Sequence, residues 1–200
     1  MDQANVCAHK EVGVFKEVFM NKSKVNGHTS SIFIFTFFLF SFIGWLWEGV
    51  FVGQEYGVFI NRGFLHGPWL PIYGVGCVLM IHLLTRFRKN PLLVFAGACT
   101  ICGTAEYITS WMLEVIFHQR WWDYSGSFLN LNGRVCLKAL IAFGLAGIFV
   151  VYWGAPIIKK LIMKMPKSVL RIICVILTIA FLIDIIASLF HPNCGAGITL

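Results

Sequence analysis

Charge is scarce in this chain: charged residues make up 12% of its 200 residues, against about a quarter in an ordinary soluble domain. Acids are scarcer than bases, nine against sixteen. With 58% hydrophobic residues and a mean hydropathy of +0.78, the apolar surface exceeds what a small soluble core can hide, and lipid is implied as the solvent. The net charge of +7 is scattered over short segments between apolar runs. It therefore reads as a topology signal, and no nucleic-acid partner is expected. No GxxxxGK[ST] sequence occurs, so the chain by itself is no P-loop ATPase. HExxH is absent as well; Glu114 and His118 have a metal-ligand spacing and His66 lies in another connection, but no second close pair supports them. Neither a metal nor a cofactor is expected. No disulfide framework is implied, because Cys77, Cys99, Cys102, Cys136 and Cys174 all fall in apolar stretches, where cysteine packs as a small hydrophobe. The CxxC spacing of Cys99 and Cys102 stands in a membrane-helix context that suits neither redox chemistry nor zinc.

Long apolar runs are what the chain does have. Five, at 31–53, 68–85, 91–117, 135–158 and 169–190, lie near the ~20 residues needed to cross a bilayer. They predict an all-α integral membrane protein with about five transmembrane helices in one domain over 31–190. A basic segment, 1–30, precedes it and a short tail, 191–200, follows. In the basic segment Val14, Phe15, Val18 and Phe19 recur at helical spacing against Lys10, Lys16, Lys22 and Lys24, as in a short interfacial helix. The first run starts far from Met1 and lacks a small-residue cleavage site, so it is expected to stay as a helix. Pro68, Pro91 and Pro166 stand at or just before the expected helix starts, where the ring removes no intrahelical hydrogen bond.

Lysine and arginine set the expected orientation. The N-terminal lysines, Arg86, Arg88 and Lys89, and Lys159, Lys160, Lys164, Lys167 and Arg171 share one side of the membrane. The opposite connections hold Arg62, and Arg120 with Arg134, and the tail has neither residue type. By the positive-inside rule the chain sits in the cell membrane with a cytoplasmic N-terminus and an external C-terminus.

An internal repeat is suggested by the first and third runs. Gly44-Trp-Leu-Trp-Glu48 can be laid over Ser110-Trp-Met-Leu-Glu114, and each hairpin returns through an asparagine and an arginine, Asn61 with Arg62 and Asn132 with Arg134. The expected architecture is two duplicated helical hairpins plus a C-terminal helix. The copies would be related by an axis along the membrane normal, with their acid and arginine pairs around a common centre.

Charges inside the hydrocarbon cost roughly 2.5–3.5 kcal/mol each and need a partner or a wet cavity. Glu48, Glu114 and Asp184 lie about one turn from the outer ends of their runs. Glu106 is deeper, two turns or about 12 Å inward of Glu114, with Ser110 between them on the same helix face. At that depth a carboxyl suits proton or cation handling. Arg62, Arg134 and Lys138 are the facing cations, the last two one turn apart at the expected start of the fourth helix. In the third connection Trp121 and Trp122 adjoin Asp123 and Tyr124. Tryptophans there serve as interfacial anchors, the expectation for Trp121, or as stacking surfaces in a headgroup or sugar site. The candidate substrate or ion site is therefore Glu48, Arg62, Glu106, Glu114, Trp122, Asp123, Asn132, Arg134 and Lys138.

Several of these segments together resemble the ABC-transporter type IV, or CmpB-like, membrane proteins of bacteria. The resemblance covers roughly residues 35–160. It rests on Gly44-Trp-Leu-Trp-Glu48, Asn61-Arg-Gly-Phe-Leu65, Gly67-Pro68, Pro71-Ile-Tyr-Gly74, Glu106-Tyr107 with Glu114, Trp121-Trp-Asp-Tyr-Ser125 and Asn130-Leu-Asn-Gly-Arg134. The last run lies largely beyond it. The resemblance implies a bacterial inner-membrane permease without an established substrate. Its partners are the lipid bilayer and an ATPase subunit, or further copies of the chain, and its coupling segment lies at Arg86 to Asn90 or Lys159 to Lys167. Two other functions compete with transport. One is a membrane-embedded enzyme on lipid or cell-envelope substrates, using Glu114, Asp123 and Arg134 as acid, base and anion-holding groups. The other is a structural or regulatory subunit whose charges only pair helices. The resemblance favours transport over an enzyme.

Overall fold

The computed structural model describes residues 27–57 and 59–194; the expected interfacial helix of the basic segment lies outside them. The described chain is helical apart from its connections, with one isolated bridge between Leu131 and Val135. Helix α1 spans Gly27–Tyr56, α2 Pro71–Leu84, α3 Pro91–Phe117, α4 Leu137–Phe149, α5 Ala155–Lys164 and α6 Lys167–Phe190.

The helix starts follow local chemistry. Pro71 and Pro91 open α2 and α3 in the first turn, where the missing N–H is no loss. Leu70, ahead of Pro71, is held extended at φ −113° and ψ 99°, as a residue before proline must be. The second helix was expected to begin at Pro68. It begins at Pro71 instead, because Gly67 to Leu70 follow a non-helical path. With its 3₁₀ turn Thr85–Phe87 it is shorter than the other spans, and four helical segments, counting α4 through α5 as one, are long and apolar enough to cross a membrane. The Asn90 side chain caps α3 by accepting from Leu92 and Leu93 amides at 3.1 and 3.3 Å. His118 ends that helix in the left-handed region at φ 54°.

The fourth expected helix runs on past residue 158. Between α4 and α5 the turn Val150–Gly154 widens to π geometry, and the chain stays helical from Leu137 to Lys164. Pro156 is the reason: its ring cannot donate and crowds the preceding turn, and a π turn relieves both problems. Tyr152 in that turn and Arg88, after α2, exchange hydrogen bonds with each other's backbone carbonyls at 2.5 and 3.2 Å.

α1 packs on α2 and α3 on α4; the two hairpins meet along α2 and α3, and α6 packs against α1. The apolar core lies toward the ends that carry the lysines. It contains Ile32 and Phe40 of α1, Met80 and Leu84 of α2, Val94 and Ala98 of α3, and Val151, Ile158 and Ile162 of the long fourth span. Outward faces are apolar too, with Leu92, Phe149, Ile176 and Ile183 exposed, as expected where lipid is the solvent. Two close approaches depend on glycine. A Cβ at Gly147 would meet Ala98, and one at Gly74 would meet Ser41 and the Phe37 carbonyl oxygen. Because that oxygen is backbone and cannot swing away, Gly74→Leu is expected to lower stability by about 1–3 kcal/mol, read as a lower thermal midpoint in detergent. An unchanged midpoint would show that α1 and α2 are less tightly packed than described.

Candidate functional site

At the end of the molecule opposite the lysines, the three charged segments converge. Glu114, in the last turn of α3, accepts from Arg120 at 3.0 Å on one oxygen and from Arg134 at 2.6 Å on the other. Arg120 also reaches Asp123 at 3.7 Å. Asp123 accepts from the hydroxyl and the amide of Ser125 at 2.6 and 2.9 Å. Those hydrogen bonds first, and Arg120 after them, hold the Asp123 carboxyl below its ordinary range. Arg120 is pushed upward in turn, chiefly by its bond to Glu114. Arg134 lies in the connection and not in a helix, since α4 starts at Leu137. Its guanidinium stands 5.4 Å from the Tyr107 ring centre, and its carbonyl accepts from Trp122 at 3.0 Å. Asn132 donates to the Tyr107 hydroxyl at 2.9 Å. Lys138 is exposed and has no ion pair among the described residues, so the expected Arg134 and Lys138 pairing toward Glu114 reduces to Arg134 alone.

The first hairpin has a looser version of the same contact. Glu48 accepts from the Tyr73 hydroxyl at 2.5 Å and lies 3.9 Å from Arg62. Arg62 also donates to the Trp121 carbonyl at 3.1 Å, tying the connection between α1 and α2 to the one between α3 and α4. Trp121 is no interfacial anchor. It is 5% exposed, packs between Phe64 and Phe117, and donates its indole N–H to the Asn193 carbonyl at 3.0 Å.

Glu106 is treated differently from the other acids. It is 7% exposed, has no arginine or lysine within 4.0 Å among the described residues, and accepts one hydrogen bond, from the Tyr124 hydroxyl at 3.1 Å. Its second oxygen, Oε2, has no hydrogen-bond partner among the described residues, nor has the hydroxyl of Ser110 one turn further along α3, itself 3% exposed. Burial, and after it the Glu106 carboxylate, raise the Tyr124 phenol above its ordinary value, so it remains a donor. Glu48 and Glu106 interact electrostatically, and Tyr73 feels both acids. The groups line one polar seam: Glu106 and Ser110 of α3, both buried, with half-buried Tyr124 from the connection after α3 and half-buried Glu48 and Tyr73 from the first hairpin.

Sequence reasoning did not connect Tyr73 and Tyr124 to the acids. The signal available was composition: both phenols sit in aromatic, glycine-bearing connections or helix starts, but nothing in the spacing says which carboxylate each reaches. Asp184 was also left without a role. It accepts from the His66 and Gly67 amides at 3.1 and 2.9 Å and from the Trp69 indole at 2.6 Å, so α6 grips the connection between α1 and α2. Asn193 adds bonds from its side chain to the carbonyls of Asn61, Gly63 and Leu65.

An apolar groove of about 350 Å³ lies on the flank of α3 against α4, lined by Cys99, Gly103, Tyr107, Leu131, Val135 and Leu140; the Glu106 carboxylate does not line it. Cys99 points to the Leu140 carbonyl and Cys102 to the Met80 sulfur, so the two thiols do not form a pair. Among the described residues no three His, Cys, Asp or Glu side chains are placed to hold a metal ion.

Helices of this length, with apolar side chains turned outward and charges gathered inside, define a multi-pass α-helical membrane protein. Residues 35–189 match the model of the family described as "Putative ABC-transporter type IV", and the chain belongs to that family. The match runs on through α6, so Asp184 falls within it, beyond the limit near residue 160 that the sequence motifs alone suggest. No curated protein and no solved structure matches the chain.

Proposed function

We propose that the protein is the membrane-spanning component of a transport system, with an ion path through the polar seam between its two hairpins. In this reading Glu106 binds or relays a proton or cation. One observation carries it: Glu106 is a buried acid with no cation beside it and one oxygen unpaired, next to a buried hydroxyl that is also unpaired. In a purely structural set of ion pairs each buried acid would be capped. The outer charges do meet that description. In the trio an enzyme would use, Glu114 is held by Arg134 and Arg120 and Asp123 by Arg120 and Ser125, which disfavours catalysis. Together with Arg62, Trp122 and Asn132 they frame the outer end of the seam.

The internal repeat belongs to the same proposal. Glu48 with Arg62 and Glu114 with Arg134 close their own hairpins in the same manner, which supports two copies about an axis along the membrane normal. The lysine-bearing ends would face the cytoplasm, with the chain's end outside. An ATPase subunit would then dock at that basic end, where α5 presents Lys160 and Lys164 to solvent; energy must come from such a partner or from an ion gradient, since the chain lacks a P-loop.

Reconstitution tests the reading. Vesicles holding a pH-sensitive or cation-sensitive dye should dissipate an imposed gradient faster with the protein than without it. Glu106→Gln is expected to lower that flux at least tenfold, while Lys138→Gln, at an exposed position, leaves it unchanged. Wild-type flux no greater than that of protein-free vesicles would sink the transport path.

A further inference from the structure

We infer that the Glu106 carboxylate binds a dehydrated monovalent alkali cation, coordinated by Glu106 Oε2 and the Ser110 hydroxyl. This rests on the ion-handling reading above and narrows it from protons or cations in general to one class of ion. Three features of the molecule support it.

The first is the pair of unpaired oxygens. A polar oxygen buried without a partner costs on the order of 1–3 kcal/mol, and here two lie on one face of α3, four residues and so about 6 Å of helix rise apart. They have no hydrogen bond to each other or to any other described group. Hard cations sit roughly 2.4 Å from each oxygen ligand, so one ion bridges two oxygens up to about 4.8 Å apart, a span within reach of a glutamate and a serine side chain one helical turn apart on the same face.

The second is ligand chemistry. The seam offers oxygen from a carboxylate, a hydroxyl and the Tyr124 phenol, which suits hard cations; a soft metal would call for thiolate or imidazole. No His, Cys, Asp and Glu triad is formed among the described residues.

The third is charge. Titratable groups facing Glu106 are Glu48 of α1, Tyr73 of α2, Cys102 on its own helix and Tyr124 of the outer connection. Glu48 already faces Arg62 at 3.9 Å. One negative charge is left to balance, which matches a monovalent ion better than a divalent one.

Carbodiimide labelling tests the inference without requiring transport. Dicyclohexylcarbodiimide reacts with a protonated carboxyl in apolar surroundings: the acid adds across a C=N bond, its proton passes to nitrogen, and the adduct rearranges to a stable N-acylurea. Full-length protein in detergent is treated at pH 7 and constant ionic strength, and the modified fraction of Glu106 is read by peptide mass spectrometry. Sodium, lithium or potassium chloride is expected to slow labelling at least tenfold relative to choline chloride, with protection weakening as the pH is lowered and protons compete. Ser110→Ala should raise the half-protecting salt concentration about tenfold, each rate being taken relative to that variant's own rate in choline chloride.

Equal rates in all four salts, with labelling still falling as pH rises, would overturn the cation site and leave a proton relay standing. If the reagent does not reach Glu106, the thermal midpoint decides. An alkali-specific rise lost in Glu106→Gln supports the site, and the absence of such a rise overturns it.

Discussion

Asp184→Ala is expected to lower the unfolding free energy by about 4 kcal/mol and to expose the connection between α1 and α2 to protease. The carboxylate collects three N–H groups, from His66, Gly67 and Trp69, at 3.1, 2.9 and 2.6 Å. Hydrogen bonds to a charged group are worth about 1.5–3 kcal/mol each. Near the C-terminal end of α6 the freed donors recover part of that from water, which places the total just below the low end of the sum. Those three residues lie more than 110 positions away in the chain, so the bonds fix the path of residues 59–70 over the polar seam. Trypsin reports the consequence, because Arg62 in that segment is held by the Trp121 carbonyl and by Glu48. Cleavage after Arg62 should be at least tenfold faster in the alanine variant. Asp184→Asn, which keeps one acceptor oxygen, should show about half the loss of stability. An unchanged midpoint together with unchanged cleavage would mean that the Asn193 bonds alone hold the connection.

The second large effect has the opposite sign. Replacing Glu106 and Tyr124 together, as Glu106→Leu with Tyr124→Phe, is expected to raise stability by about 1–4 kcal/mol while abolishing ion flux. A buried charge or an orphaned polar oxygen is expensive, and exchange of a buried polar set for apolar groups of similar volume is commonly stabilising by that amount. Glu106→Leu alone should gain less, because the half-buried Tyr124 hydroxyl then loses its acceptor. Residues kept for activity at the expense of stability behave in this way. If the double variant is less stable than the wild type, the Glu106 and Tyr124 bond is a structural tie and the functional seam is lost with it.

The apolar helices are legible in the sequence because a bilayer demands about 20 apolar residues per crossing, a signal that needs no tertiary information; four of them have that length, and the helix at Pro71–Phe87 is shorter. Their edges are less so. Pro68 and Pro71 are both credible first-turn prolines, and only the packing of Trp69 and Leu70, against Asp184 and the Ser41 carbonyl, settles on the later one. The contact between Glu114 and Arg134 is anticipated by the repeated acid and arginine spacing, whereas Lys138, one turn further on, turns outward. Trp121 misleads because tryptophan is enriched at interfaces in general; its burial depends on Phe64 and Phe117 arriving from two other segments. Tyr124 and Asp184 were out of reach for the same reason. Their partners lie 18 and more than 110 residues away, joined by no periodic pattern.

The direction of these contacts along the chain also dictates an order of events during synthesis. Glu48 meets Tyr73 and Arg62, Glu106 meets Tyr124, and Glu114 meets Arg120 and Arg134. In every case the acid leaves the ribosome before its partner does. At about 5–20 residues per second, α3 carries Glu114 for roughly 1–4 s before Arg134 is made. It therefore enters the bilayer with its acids uncompensated and depends on the connection that follows to stay there. Asp184 reverses the sequence: His66, Gly67 and Trp69 have been waiting since the first hairpin was made. The last helix to emerge is thus the one that latches the first loop, and assembly finishes where the chain began to fold.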